Sequence, residues 1–329
     1  MENCNMIIKV AGIPISLTSL YPFQRVNFRK SMQDFLFISN NIKAAVNIHA
    51  HYGKVPKINF RDKYLIYEVE KVWSLYKQNG KYIFNHQRIE YGRKPFLIRY
   101  VNYRNKNFNL PRSHIYDLKL LKEELPLPYR LAIFEHNFRK GNVYVRFSPQ
   151  DRSFSLPNPL AHNLLELIIL SLLYLRRFGA LFHACGIAEG KQGYLFLGTS
   201  GCGKSTMAKL WQNYSLILHD DRIIVRKIQG HFWIFGTPWH SKLGLIKNQG
   251  VPLRKIFFLK HGSKNRAVKL TPAEALSRLL IHSTPPIWYN NKIIEYNIEI
   301  CSELAEELPC YSLEFIPGKR IIDFIKEIE

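Results

Sequence analysis

The stretch that decides the fold is the glycine-rich run Gly198-Thr199-Ser200-Gly201-Cys202-Gly203-Lys204-Ser205. Its G-x-x-x-x-G-K-S spacing is that of a phosphate-binding loop, in which glycines let backbone N–H groups surround phosphate oxygens. The lysine reaches the terminal phosphates, and the serine hydroxyl can ligate Mg²⁺. An apolar strand, 194–197, leads into the run and a helix follows it, which argues against the alternative of an ordinary glycine-rich turn. The sequence therefore predicts a site for ATP and Mg²⁺, extending to Thr206.

Two adjacent carboxylates, Asp220 and Asp221, follow the loop lysine by 16 residues. The intervening chain is long enough for a right-handed crossover, so strand 216–219 is predicted to run parallel to strand 194–197. Because ligands bind at the carboxyl ends of such strands, we expect both carboxylates beside the phosphates. One can hold Mg²⁺, and the other can accept a proton from an attacking hydroxyl. A polar strand end that caps the next turn is the alternative.

Strand register brings His183 into the same region. If residues 189–193 close a hairpin, position 188 faces 194, and position 183 then faces 199. We therefore expect His183 near the start of the phosphate loop, although a single histidine is more often a structural residue.

Composition narrows the class of protein. The 329 residues carry 47 Lys and Arg against 25 Asp and Glu, a net charge of +22, with 47% hydrophobic residues. Such a chain is globular, which excludes a disordered polycation. The most apolar stretch, 164–175, is shorter than the roughly 20 residues of a membrane span, and the N-terminus lacks a signal-peptide pattern. We expect a cytoplasmic protein without membrane association, and five cysteines without a C-x-x-C pair indicate reduced thiols.

Residues 1–155 are predicted to form a basic, mainly β N-terminal domain. Apolar residues alternate at period two, and Asn79-Gly80 is a strong hairpin turn, with a second hairpin predicted around 139–142. Residues 1–150 carry 25 basic against 10 acidic side chains. This charge is compatible with an acidic docking partner, although an ordinary solvated surface is the favoured explanation, and nucleic acid is a less favoured partner.

Residues 156–329 are predicted to form an α/β catalytic domain. A helix is expected over 160–177, strands over 181–187, 223–225, 232–235 and 256–259, and helices around 302–307 and 321–327. Thr271-Pro272-Ala273-Glu274 is a capping box with proline at the first helical position, predicting a helix to about Ile281.

Three segments together resemble a known family. Phe182-His183-Ala184-Cys185-Gly186, the phosphate loop and His219-Asp220-Asp221-Arg222 follow one another at short spacing. In this order they resemble the C-terminal catalytic domain of HPr kinase/phosphorylase, a P-loop α/β fold related to ATP-dependent phosphoenolpyruvate carboxykinase. The resemblance covers about residues 160–260. With Gly236-Thr237-Pro238-Trp239-His240 and Pro252-Leu253-Arg254, the chain is more similar to the HPr-kinase-like proteins of peptide natural-product clusters, including lasso-peptide kinases.

The resemblance implies specific roles. Asp220 would be the base on the acceptor hydroxyl, Asp221 and Ser205 would neighbour Mg²⁺, and His183 would lie on the phosphate side. Thr206 stands where the bifunctional enzymes have an acidic residue, and their glycine-rich segment for the reverse reaction is not evident. These departures argue against HPr as the substrate and against phosphorylase activity.

Three further residues are candidates for the substrate side. Trp239 and His240 follow a Gly-Thr-Pro turn and either line the acceptor site or, for the tryptophan, pack under a loop. Arg254 either contacts phosphate or begins the strand at 256–259. 

Two functions fit these features. The first is an ATP-dependent kinase that phosphorylates a Ser or Thr hydroxyl of a peptide or protein. The second is a nucleotide-gated regulatory or assembly ATPase. A carboxykinase-like metabolic enzyme is a weaker hypothesis, because the sequence contains no paired Lys/His pattern that would bind metal. The carboxylate pair near the loop favours the kinase, and the sequence leaves open whether copies form a homo-oligomer.

Overall fold

The computed structural model describes residues 4–38, 42–58, 64–69, 73–86, 129–147, 155–161, 163–286 and 291–328. The chain divides into two compact units. The first comprises Met1–Ile7, Ile15–Phe28 and Ile38–Leu165, and the second comprises Ile8–Pro14, Arg29–Phe37 and Glu166–Glu329. The chain passes from the first unit to the second for the last time after Leu165, whereas the sequence predicts a domain boundary at 155–156.

Up to residue 157, the described chain consists of strands and two short 3-10 helices, Phe23–Arg25 and Lys30–Phe35. The strands are β1 (Cys4–Val10), β2 (Ile13–Ser19), β3 (Val26–Asn27), β4 (Leu36–Phe37), β5 (Val46–Gly53), β6 (Tyr64–Val69), β7 (Trp73–Gln78), β8 (Lys81–His86), β9 (Arg130–Glu135), β10 (Lys140–Arg146) and β11 (Leu156–Pro157). Nine of these described strands form one sheet in the order β4-β1-β2-β5-β10-β9-β8-β7-β6, and β11 pairs separately with β3.

Both predicted hairpins are confirmed in this sheet. β7 and β8 are antiparallel and joined by Asn79-Gly80, whose φ angles of 47° and 71° are those of a type I′ turn. β9 and β10 are also antiparallel, but their connection lies at 136–139, earlier than the predicted 139–142. The turn comes early because Phe138, at φ 53°, is fully buried and stacks on Phe134.

In the described part of the remaining chain, strands are interspersed with five α-helices. Two predicted helix limits shift: the first helix begins at Leu164 rather than 160, and the fourth begins at Asn291 rather than near 302. The helices are α1 (Leu164–Leu175), α2 (Lys204–Trp211), α3 (Pro272–His282), α4 (Asn291–Glu307) and α5 (Arg320–Glu327). The strands are β12 (Ala180–Glu189), β13 (Gln192–Leu197), β14 (Leu216–His219), β15 (Arg222–Ile228), β16 (His231–Phe235), β17 (Gly250–His261), β18 (Arg266–Lys269) and β19 (Cys310–Phe315).

These helix limits follow from local contacts. The Asn158 side chain accepts a hydrogen bond from the Leu160 N–H at 2.9 Å, which holds the chain in a turn before α1. In α4, Ile293, Tyr296 and Ile300 are buried at helical spacing, so the apolar face continues toward the N-terminus. The capping box of α3 is confirmed, since the Thr271 hydroxyl and the Glu274 carboxylate each bond the other's backbone N–H. Among the described helices, none combines the length and apolarity that crossing a membrane requires.

The second sheet is mixed and has eight strands. Its main order is β13-β12-β15-β16-β17-β19-β18, and β13 also pairs in parallel with β17. The pairings from β13 through β12, β15, β16 and β17 therefore return to β13. β13 and β14 both pair antiparallel to β12, so they run in the same direction, as predicted, with β12 between them.

A hydrophobic core underlies the loop that follows β13. Trp211 at the end of α2 is fully buried and packs edge-to-face against Tyr194 at 5.6 Å. Ile321 and Ile325 of α5 are buried in the same cluster, as is Phe315 of β19. A Cβ on Gly203 would approach the Phe315 ring to 2.6 Å, so the start of α2 lies directly on this core. 

Candidate functional site

The glycine-rich run forms a tight loop between β13 and α2. Gly198, Gly201 and Gly203 have φ angles of 155°, 87° and 107°, values that L side chains rarely adopt. The Cys202 N–H bonds the Thr199 carbonyl at 3.2 Å inside the loop. Because Gly203 is the N-cap of α2, the free N–H groups of the first helical turn, which includes Ser205 and Thr206, point toward the loop. This arrangement fits an anion such as a phosphate group.

The loop lysine folds back over the loop. Lys204 is 6% exposed, and its Nζ donates to the carbonyl oxygens of Gly198 at 2.6 Å and Thr199 at 3.1 Å. Neutral peptide carbonyls are exchangeable partners, and no carboxylate forms an ion pair with this ammonium among the described residues. The positive charge is thus held at the loop itself, where a phosphate would bind.

His183 lies one strand away from the loop, with a register that differs from the predicted one. The hairpin turn is the two-residue Gly190-Lys191, since Glu189 pairs with Gln192 and Ala184 with Leu197. Continued by one residue, this register sets His183 opposite Gly198 rather than residue 199. Burial, and then the positive charge of Lys204, lowers the pKa of the His183 ring below its ordinary value.

Asp221 lies within a chain of charged contacts. Its Oδ1 is 3.1 Å from His183 Nδ1, and its Oδ2 is 3.5 Å from Arg222 Nε. Arg222 also donates to the Glu166 carboxylate of α1 at 2.7 Å. Burial raises the pKa of Glu166, and the Arg222 charge opposes that rise. Asp221 is 30% exposed, so it reaches solvent while one of its oxygens faces the His183 ring and the other faces the Arg222 guanidinium.

Asp220, by contrast, has a buried carboxylate. It is 2% exposed, and within the part of the chain that the structure describes neither carboxylate oxygen has a hydrogen-bond partner. The nearest cationic candidate, His219 Nδ1, is 3.8 Å away and instead accepts the N–H groups of Asp221 and Arg222. Burial lowers the pKa of His219, so its ring is neutral and Nδ1 carries a lone pair.

Such a carboxylate is costly unless a ligand completes its surroundings. Burial raises the pKa of the Cys185 thiol most. The charge of Asp220 raises it further, and the charge of Lys204 lowers it. Asp220 and Lys204 therefore lie in the same neighbourhood. A proton donor such as a hydroxyl, or a cation, fits the missing contact.

Mg²⁺ fits the donor set at this edge. It needs one or two carboxylates together with substrate phosphates rather than a cage of protein ligands. Ser205 and Asp221 supply a hydroxyl and a half-exposed carboxylate, and Asp220 adds a second. Within the described ranges, no cluster of three or more His, Cys, Asp or Glu side chains offers a metal site of the closed type.

The sequence analysis missed two residues of this site. Glu166 anchors Arg222 from α1, and His282 ends α3 beside the loop, where Ser283 bridges to Phe182 and the Thr284 N–H bonds the Leu181 carbonyl. Burial, with the charges of Lys204 and His183, lowers the pKa of His282 to about 4. Neither residue lies in a motif, so no local signal identifies it.

The loop that carries Trp239 and His240 contacts the two residues that flank the aspartates, His219 and Arg222. The Thr237 hydroxyl donates to the Arg222 carbonyl at 2.9 Å, and the Trp239 carbonyl oxygen is 3.5 Å from His219 Nε2. Trp239 is half-buried and His240 exposed.

Arg254 lies elsewhere. It is an exposed residue inside β17 and donates to the Gln192 side chain at 2.6 Å, at the end of β13 opposite to the loop. The structure thus brings Lys204, His183, Asp220, Asp221 and the Trp239 loop together, and it does not bring Arg254 to them.

Comparisons with known proteins give little similarity. No protein family and no curated protein sequence matches the chain. Among solved structures, the HPr(Ser) kinase/phosphatase from Coxiella burnetii is a distant neighbour, with a TM-score of 0.26 and 10% sequence identity. The match covers 44% of this chain and 90% of that chain. At this level, the match is a similarity to that protein and carries no argument about the activity of this one.

Proposed function

We propose that the second unit is a P-loop kinase domain that transfers the terminal phosphoryl group of ATP to a Ser or Thr hydroxyl of a peptide or protein. The observation that supports this most strongly is the buried carboxylate of Asp220, which accepts no hydrogen bond from the described residues and lies near the glycine-rich loop. A site that only bound and released nucleotide would not require a buried carboxylate in addition to the more exposed Asp221. A base for a hydroxyl acceptor does require one.

The loop would hold the phosphates. The glycines allow backbone N–H groups to point at phosphate oxygens, and the first turn of α2 adds its N-terminal dipole. Lys204 exchanges the Gly198 and Thr199 carbonyls for phosphate oxygens, which are stronger acceptors because they are charged. Ser205 and Asp221 would hold Mg²⁺, which neutralises phosphate charge when it is bound.

The carboxylates would divide the remaining work. The acceptor hydroxyl gives its proton to Asp220 as its oxygen bonds to the terminal phosphorus, and the bond between that phosphorus and the bridging oxygen of ADP breaks. Asp221 is already oriented by His183 and Arg222, so it is better suited to holding Mg²⁺ than to accepting a proton. The acceptor would approach from the side of Trp239, whose loop contacts His219.

The test measures where the phosphoryl group goes. Full-length protein is incubated with radiolabelled ATP, Mg²⁺ and a library of synthetic peptides that contain Ser or Thr, and phosphopeptide is measured against free phosphate. Lys204→Ala is the inactive variant, and Lys209→Ala, an exposed lysine on the same helix, is its matched control.

We expect phosphopeptide with the native protein and the control but not with Lys204→Ala. Hydrolysis to free phosphate without any phosphopeptide would instead support a nucleotide-gated ATPase and contradict the kinase. Lys204→Ala should also weaken Mg-ATP binding by roughly ten- to hundredfold, because hydrogen bonds to charged groups contribute about 1.5–3 kcal/mol.

A further inference from the structure

A cleft of about 560 Å³ lies within the second unit, next to the candidate site. One wall comes from residues 29–34 and the other from residues 239–247. Its volume falls within the roughly 300–1,000 Å³ of small-ligand sites. The lining includes Arg29, Lys30, Asp34, Trp239, His240 and Lys247.

Hydrogen bonds tie the two walls together. The Ser31 hydroxyl donates to the Pro238 carbonyl at 3.1 Å, and the Asn248 amide donates to the Asp34 carbonyl at 2.9 Å. One bond lies near the beginning of the second wall and the other just beyond its end. The cleft is therefore a defined part of this unit, since both walls are fixed to each other.

Contacts join the second wall of the cleft to the end of β14, directly before the two aspartates. The Trp239 carbonyl oxygen is 3.5 Å from His219 Nε2, and Ile246 forms a β-bridge with His219. The Lys247 N–H donates to the Leu218 carbonyl at 3.0 Å. The second wall of the cleft is therefore attached to the residue that directly precedes Asp220.

The lining favours an anionic occupant. Arg29, Lys30 and Lys247 are exposed cations, against the single carboxylate of Asp34 among the described lining residues. The indole N–H of Trp239 is buried and has no acceptor within the described chain. A ligand that carries carboxylates would pair with the cations and could accept from this indole.

We propose that this cleft binds the segment of the acceptor peptide that flanks the phosphorylated hydroxyl, and that this segment is acidic. The proposal rests on the kinase function proposed above. A peptide is favoured over nucleic acid because Trp239 is the one large aromatic side chain among the described lining residues. Single-stranded nucleic acid is usually held by several stacking side chains along a continuous basic groove.

The experiment measures peptide binding without phosphoryl transfer. A fluorescein-labelled peptide with one serine between two Asp-Asp-Asp runs is titrated with full-length protein, ADP and Mg²⁺, and anisotropy is recorded. The same peptide with Asn for every Asp is the neutral comparison. The variants are the double change Arg29→Glu with Lys247→Glu, the single change Trp239→Phe, and Lys242→Glu, an exposed lysine on the same loop outside the cleft.

We expect the acidic peptide to bind more tightly than the neutral one. The double variant should weaken this binding about tenfold or more, since two attractions become repulsions, and Trp239→Phe should weaken it severalfold through the lost donor. Lys242→Glu should leave it unchanged. An unchanged thermal midpoint and ADP affinity show that each variant is folded.

Three results would overturn the proposal: equal binding of both peptides, equal weakening by Lys242→Glu, or an oligonucleotide of the same charge that binds more tightly and also needs Arg29 and Lys247. The kinase proposal fails separately. If the acidic peptide binds through the cleft but no peptide is ever phosphorylated from ATP, the peptide-binding proposal is supported and the kinase proposal is contradicted. If acidic and neutral peptides are phosphorylated equally well, the kinase stands and the acidic specificity does not.

Discussion

His183 Nδ1 lies 3.1 Å from Asp221 Oδ1, at the point where β12, the phosphate loop and the start of β15 meet. The contact links two strands rather than neighbours in sequence, since His183 pairs with Arg222 across β12 and β15. The Ala184 N–H also bonds the Asp221 carbonyl at 3.0 Å. Backbone and side chain of Asp221 are thus both held by β12, which orients its carboxylate relative to the loop.

This contact predicts a magnesium-specific effect of His183→Ala. Without the ring, Asp221 keeps only the longer Arg222 contact, so its carboxylate is less well oriented. Loss of a residue that orients a metal ligand typically costs about 10–100-fold in metal affinity. We expect Mg-ATP to bind correspondingly more weakly in calorimetric titration, while ATP in EDTA binds as it does to the native protein. An equal loss with and without Mg²⁺ would show that His183 contacts the nucleotide instead.

Asp220→Asn is predicted to separate stability from transfer. The amide cannot take the hydroxyl proton, so phosphoryl transfer should fall about 10²–10⁴-fold while ATP binding is retained. The same change removes a buried charge that has no partner among the described residues, so the nucleotide-free protein should unfold at a higher temperature. Asp323→Asn on the exposed face of α5 is the control for both measurements. Normal transfer by Asp220→Asn, with Asp221→Asn inactive, would reverse the assigned roles.

The ion pair between Glu166 and Arg222 is predicted to be worth more than a surface pair. Glu166 is mostly buried, and its carboxylate accepts from Arg222 at 2.7 Å, so Glu166→Gln leaves a poorly solvated guanidinium. We expect a loss of about 1–3 kcal/mol in the free energy of unfolding. The matched control is Glu189→Gln, which removes the partner of the more exposed Lys326 and should cost no more than about 1 kcal/mol.

Urea denaturation of both variants checks this difference. Arg222→Gln alone and combined with Glu166→Gln completes a double-mutant cycle, which isolates the pairwise coupling. Equal losses for Glu166→Gln and Glu189→Gln would contradict a special role for Glu166 in holding Arg222 beside Asp221.

Local signals were enough for much of the fold. Local residues determine the tight glycine-rich loop before α2, the Asn79-Gly80 hairpin and the Thr271 capping box, so their backbone geometry is visible in the sequence. The direction of β14 relative to β13 was also predictable from the crossover length. The position of β12 between β14 and β13 was not predictable, because the pairing of β12 with both strands depends on long-range contacts.

The parts of the site that escaped prediction are those assembled from distant segments. Glu166 and His282 reach the loop from α1 and α3, and neither lies in a recognisable pattern. The predicted register of His183 was off by one residue because the hairpin turn uses only two residues, Gly190 and Lys191. Arg254 was misleading because its strand begins at Gly250, which leaves the side chain at the far end of the sheet from the loop.

His282 is predicted to make stability depend on pH in an identifiable window. Its folded pKa is about 4, against 6.5 for an unperturbed ring, because the ring is partly buried and faces Lys204 and His183. Between these values the unfolded chain binds a proton that the folded chain does not, so stability falls as the pH decreases from about 6.5 to about 4. Above the unfolded value both states are neutral, and the contribution to the pH dependence vanishes.

His282→Gln removes this titration and keeps a polar side chain. Its urea midpoint should therefore fall less steeply than that of the native protein as the pH is lowered from about 6.5 to about 4, the window set by the lowered pKa. Above pH 7 the two midpoints should run parallel, which serves as the internal control. His183 contributes in the same direction, since its pKa is also lowered, so the variant keeps part of the slope. Parallel curves over the whole range would show that the ring of His282 is not buried in the folded protein in the way that lowers its pKa.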